Sequence, residues 1–224
     1  MDLCLTIVFL QEKLAKKYLN DCVRYKKEFL MLTKHKTKTA KNDKDLWATP
    51  WEYFYGAEAL FSRIFGLDAC ASPHNAKCKW YITEQQNMLT CDWGEQGQNV
   101  WINPPYSDPT PFIQRAIEQS RTNKHFIVML LPADTSVAWF SLCLEHASQI
   151  WFITGQGNKG GRISFLHNQN GKRKNGNSKG SMFVVFDPKD SASAPYRQFT
   201  RYISRDQLKI LGKEEQKNDL HYLA

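Results

Sequence analysis

The run His125-Phe126-Ile127-Val128-Met129-Leu130-Leu131-Pro132 constrains the fold more than any other stretch of this chain. It is apolar without alternation. A strand with one wet face alternates apolar and polar residues, whereas a strand covered on both faces reads as a continuous apolar run. Covering both faces takes helices on both sides of a sheet, so the run points to an α/β domain with a mostly parallel sheet flanked by helices.

The neighbouring segments keep that rhythm. The stretch 49–66, TPWEYFYGAEALFSRIFG, reads as a helix with Thr49 as N-cap, Pro50 at the first helical position and Gly66 closing it. Phe54, Leu60, Phe61 and Ile64 supply its apolar stripe. A short strand through Leu67-Asp68 follows, then a strand Val100-Trp101-Ile102 and a helix over TPFIQRAIEQSRT. After the buried run come a helix in SVAWFSLCLEHA, with Thr135 and Ser136 placed to cap it, a strand QIWFIT and a final strand SMFVVF. Strands alternating with helices are the pattern of βαβ units.

Residues 1–45 differ in character. LCLTIVFL is too short for a membrane span and has no basic flank for a signal peptide, so a soluble protein without a membrane partner is expected. A lysine-rich helical stretch and the aperiodic arm TKHKTKTAKNDKD follow, with Lys34, Lys36, Lys38 and Lys41. The expected organisation is therefore a basic helical extension and linker over 1–45 and a core domain over 46–224. A formal net charge of +8 and a pI of about 9.1 favour a polyanionic partner, nucleic acid first. The six cysteines form no CxxC pair, which fits a reducing cytoplasm. Cys70, His74, Cys78 and Cys91 match no common zinc module, so no metal is expected.

The chemistry concentrates in Asn103-Pro104-Pro105-Tyr106, at the end of the Val100–Ile102 strand. Two prolines remove two N–H donors and fix two φ angles. The bend presents an amide, carbonyls and an aromatic ring. Ligands of open α/β sheets sit at the carboxyl ends of strands. Asp68, the Asn103–Tyr106 bend and Pro132-Ala133-Asp134 all follow strands, so they are expected to line one rim.

Asn103–Tyr106 matches the (D/N/S)PP(Y/F/W) motif of amino-methyltransferases that use S-adenosylmethionine. Together with Ala48-Thr49-Pro50, LDACASPHNAKCKWYITEQQNML, VMLLPADTSVAWF and GRISF, in that order, it resembles the phage-type DNA N-6-adenine methyltransferase (Dam) family over roughly 46–188. The resemblance implies a Rossmann-like fold and methyl transfer from S-adenosylmethionine to the amine of a flipped adenine in double-stranded DNA. It implies a phage or prophage enzyme, acting as a monomer in the bacterial cytoplasm. Asn103 and Pro104 would accept the amine hydrogens and Tyr106 would stack on the base, with Pro105 stiffening the bend. Asp68 and Ala71 stand where the family holds its cofactor, Thr49 and Pro50 where it approaches the methionine portion. Asn87 replaces the family's usual Asp. Arg162, Lys172, Arg173, Lys174 and Lys179 are the expected DNA contacts. The motif alone leaves RNA adenine, DNA cytosine N4, a protein glutamine or an inactive nucleic-acid-binding relative open.

Overall fold

The computed structural model describes residues 47–167, 171–173, 179–190 and 199–222, with the backbone alone for 218–222. The extension expected over 1–45, its basic arm, and Lys174 lie outside the described residues. In chain order the elements are β1 (Trp47–Ala48), α1 (Trp51–Phe61), β2 (Leu67–Asp68), β3 (Trp80–Tyr81), β4 (Asn99–Ile102), α2 (Thr110–Thr122) and β5 (Phe126–Ala133). They continue with α3 (Trp139–His146), β6 (Gln149–Thr154), β7 (Leu166–His167), β8 (Gly180–Phe186), β9 (Phe199–Ser204) and α4 (Arg205–Tyr222).

Seven strands form one sheet in the order β3-β2-β4-β5-β8-β6-β9. β8 runs antiparallel to both of its neighbours, and the other pairings are parallel. β1 and β7 make a separate antiparallel ribbon, with Trp47 opposite His167. Helices cover both faces of the sheet. Ile127, Met129 and Leu131 of β5 point to one face, with Ile113 and Ile117 of α2 and Phe140 and Cys143 of α3. Val128 and Leu130 point to the other, with Tyr53 and Phe54 of α1 and Leu208 of α4. Both sets of β5 side chains are buried, which is why its sequence shows no alternation. None of the described helices is long and apolar enough to cross a membrane.

Several local expectations are corrected. α1 starts at Trp51, with Pro50 in the capping position and no side-chain cap. Thr49 is buried, and its hydroxyl has no partner among the described residues. The helix ends at Phe61 because Ser62 turns left-handed (φ 51°); Gly66 instead leads into β2 through its N–H to the Asn99 carbonyl. Ile64 lies beyond the helix and is exposed. Thr135 and Ser136 do not cap α3, which begins at Trp139; Ser136 is held by the Asp134 carboxylate. β8 is not the last strand, since β9 and α4 follow it.

α4 packs against α1 at close to backbone contact. A Cβ at Gly56 would lie 2.4 Å from the Leu208 carbonyl oxygen, and one at Gly212 would lie 2.1 Å from that of Glu52. The missing side chains are what let these two helices approach.

Candidate active site at the carboxyl ends of three strands

The Pro-Pro bend ends β4 because neither proline can continue the ladder. The Asn103 amide donates through Nδ2 to the Trp47 carbonyl oxygen at 3.2 Å. A carbonyl can only accept, so the NH₂ end must face Trp47 and Oδ1 must face away from it. Asn103 Oδ1 is buried and has no hydrogen-bond partner among the described residues. Leaving a buried acceptor unmatched costs about 1–3 kcal/mol. Thr49 Oγ1, Arg115 Nε, His125 Nε2 and Ser181 Oγ are buried without a partner too among the described residues, but of these five residues Asn103 alone lines the cleft. Trp47 is itself held by the β1–β7 pairing and packs edge-on against His167.

Three residues further on, the Tyr106 hydroxyl donates to the Leu130 carbonyl oxygen at 3.3 Å. The ring stands edge-on to Phe165, with centroids 6.0 Å apart. Burial pushes the phenol pKa far above its ordinary value, so Tyr106 stays neutral. Its site is that of a positioned ring rather than of an acid or base.

Asn103, Pro104, Pro105 and Tyr106 form one wall of a cleft of about 450 Å³. The opposite walls are the loops that follow β2 and β3. After β2 the chain runs Ala69-Cys70-Ala71-Ser72, all lining the cleft. Small side chains let that backbone come close to a ligand, as glycines do in a phosphate- or nucleotide-binding loop. The Ala71 N–H donates to the Ile82 carbonyl at 3.0 Å, tying the two loops together. Asn87 also lines the cleft, in a left-handed conformation (φ 57°), with Oδ1 accepting from the Leu89 N–H at 3.1 Å. The size suits a nucleoside-sized ligand.

Not every expected residue reaches this cleft. Asp68 is 3% exposed, and its carboxylate accepts the Lys77 N–H at 3.0 Å and the Cys70 N–H at 3.4 Å. It sits behind the loop and staples it. Burial raises its pKa to about 6 against the pull of those two hydrogen bonds. Thr49 and Pro50 are buried and line no part of the cleft, and Pro132-Ala133-Asp134 also stand apart from it. Trp47, Phe112 and Glu84 line it and were not anticipated. Glu84 lies three residues past Tyr81, the end of β3, and the rule that ligands sit at strand ends would have found it had so short a strand been recognised.

The basic loop is partly committed elsewhere. Arg173 pairs with Glu52 of α1 at 2.7 Å, and Lys179 pairs with Asp134. That contact, with Ser136, holds the Asp134 pKa down to about 2. Arg162 and Lys172 are exposed. Cys70, Cys78 and Cys91 are half-buried thiols, and no group of three or more metal-ligating side chains occurs among the described residues.

A family model described as DNA N-6-adenine-methyltransferase (Dam) matches residues 36–215. The chain is 46% identical over 183 residues to the DNA N-6-adenine-methyltransferase of Haemophilus phage HP1, covering 81% of this chain and 98% of that protein. It is 38% identical over 158 residues to the DNA N-6-adenine-methyltransferase of Escherichia phage T1, covering 66% of this chain and 65% of that one. A shorter match, 39% over 66 residues, covers 28% of this chain and 71% of the putative methyltransferase YfdM of Escherichia coli K12.

Proposed function

The chain belongs to the DNA N-6-adenine-methyltransferase (Dam) family, and from that premise we propose that it transfers a methyl group from S-adenosylmethionine to the exocyclic amine of an adenine flipped out of duplex DNA. The observation that carries this reading is the unmatched Asn103 Oδ1, oriented by the Trp47 carbonyl in a cleft lined also by Pro104 and Tyr106.

An exocyclic adenine amine is a weak nucleophile because its lone pair is delocalised into the ring. Asn103 Oδ1 and the Pro104 carbonyl oxygen accept its two hydrogens and favour a pyramidal, more reactive nitrogen. The same two acceptors stabilise the positive charge that develops on nitrogen during transfer. Tyr106 stacks on the base, which reaches the cleft only by leaving the duplex. Asn103 is no base, Tyr106 stays neutral and Asp68 is walled off, so the proton leaves after methyl transfer. When bound, the cofactor supplies an electrophilic methyl group. The small-residue loop Ala69–Ser72 would hold it closely, Asn87 and Asn75 would offer amides to its adenine or methionine ends, and Glu84 would accept from ribose hydroxyls; all of these residues line the cleft. The phage relatives support action inside a bacterial host.

The test is incubation of the purified chain with methyl-labelled S-adenosylmethionine and unmethylated duplex DNA, followed by digestion to nucleosides. Label in N6-methyldeoxyadenosine is expected. Label in N4-methyldeoxycytidine, or transfer to RNA or protein but not to DNA, overturns the reading.

A further inference from the structure

Resting on the DNA reading above, we infer that the segment 155–162, at the carboxyl end of β6, is a stiff finger that grips the DNA backbone beside the flipped base through Lys159 and Arg162. Its position follows from the sheet. Ile102 of β4 lies opposite Met129, while Pro132 of β5 and Ile153 of β6 both lie opposite Ser181 of β8. Pro132 is three residues past Met129, as Pro105 is three past Ile102. The chain therefore leaves β6 at the height of the Asn103–Tyr106 bend and on the same rim as the cleft. β6 is three strands away from β4 in the sheet. At a strand spacing of about 4.8 Å this puts the finger about 14 Å to the side of Asn103. A duplex that extrudes a base into the cleft lays its backbone along this rim, and with one phosphate per about 3.4 Å of rise on each strand, phosphates within about four nucleotides of the flipped base come within the finger's reach.

The finger is built to be rigid. Gln156 and Lys159 exchange backbone hydrogen bonds of 3.0 and 3.1 Å. A Cβ on Gly155 would lie 2.3 Å from the Lys159 carbonyl oxygen, and one on Gly161 would lie 2.2 Å from the Thr154 carbonyl carbon. Ser204 Oγ, at the end of β9, donates to Gln156 Oε1 at 2.9 Å, and Arg205 donates to the Arg162 carbonyl at 3.4 Å. Neither contact is needed to close a solvent loop. Together they brace the turn from β9 and α4.

Its charges are in a different state from those of three other cations. Arg173, Lys179 and Arg205 face Glu52, Asp134 and Asp206. Lys159 and Arg162 are exposed and make no ion pair among the described residues. Unneutralised cations on a braced turn bind a polyanion without the further cost of ordering the backbone that carries them.

The test measures binding of the full chain to a fluorescent duplex over a salt series, for Lys159→Gln, Arg162→Gln and the double variant. Lys189→Gln is the control, because Lys189 is exposed beyond the end of antiparallel β8, on the opposite rim. Each single change is expected to lower the log–log salt slope by about one, and the double by about two. The double variant should bind roughly tenfold or more weakly near physiological salt. Its KM for DNA should rise while its kcat at saturating DNA, its S-adenosylmethionine affinity and its melting temperature stay at wild-type values. Lys189→Gln should change none of these. If wild type methylates DNA and the double variant keeps the wild-type slope and KM, the finger is wrong and the proposed function stands. If wild type neither binds nor methylates DNA, both fall.

Discussion

Asn103 is the residue on which the proposed chemistry turns, and its orientation is a matter of which end of the amide meets Trp47. Asn103→Ala removes the acceptor and is expected to lower kcat on the order of a hundredfold or more, with the fold intact by circular dichroism. Asn103→Asp is a sharper probe. It sets a second acceptor against the Trp47 carbonyl, so at neutral pH kcat should fall as far as in the alanine variant. Turnover within a few-fold of wild type in Asn103→Asp would show that the Trp47 bond does not set the amide. Tyr106→Phe keeps the stacking ring and loses only the hydrogen bond to Leu130. We expect a mild loss in steady-state assays, well short of Tyr106→Ala, because a net hydrogen bond contributes only about 0.5–1.5 kcal/mol.

Among the elements, the α1–α4 contact has the clearest consequence. Gly212→Ala forces a methyl group into the Glu52 carbonyl, and overpacking of this kind costs about 1–3 kcal/mol. A lower midpoint in urea, with the cleft still binding S-adenosylmethionine, is the expected result; an unchanged midpoint would mean that α4 can slide. The β1–β7 ribbon is tied to α1 by Arg173 and Glu52, and Arg173 bridges to Leu166 of β7. Arg173→Gln should therefore leave the salt slope of DNA binding unchanged, since that cation is already engaged. A slope reduced by about one would return Arg173 to the DNA interface. The elements read most easily from sequence were those with a uniform environment: β5, buried on both faces, and α2, which spans the expected Thr110–Thr122. β9 was missed because an edge strand buries little. Phe199 is 62% and Tyr202 68% exposed, so the pattern shows no consistent inside face. β3 is two residues long and carries no periodicity to read.

At the scale of the whole molecule, buried Asp68 couples stability to pH. Its folded pKa of about 6 lies above the ordinary carboxylate value of 3.8. The sign follows from that elevation: its contribution is fully present below about pH 4 and is lost as pH rises through 6. The effect is of order 2–3 kcal/mol for a group this buried. Urea unfolding from pH 4 to 7 should show wild type losing stability relative to Asp68→Asn over that window; a constant difference would mean that the carboxylate titrates as in water. The sequence by itself determined the α/β class, the Pro-Pro bend at a strand end and the chemical types within it, because these depend on local periodicity, missing donors and side-chain identity. Tertiary structure decided the rest. Asp68 is a neighbour of the cleft in sequence, yet two backbone N–H groups turn its carboxylate away from it. Trp47 is 56 positions from Asn103, yet its carbonyl orients the amide. Arg173 and Lys179 read as free cations until folding brought Glu52 and Asp134 to them. A residue's type shows what it can do, but its partner, and so whether it is available, is set by contacts between segments far apart in the chain.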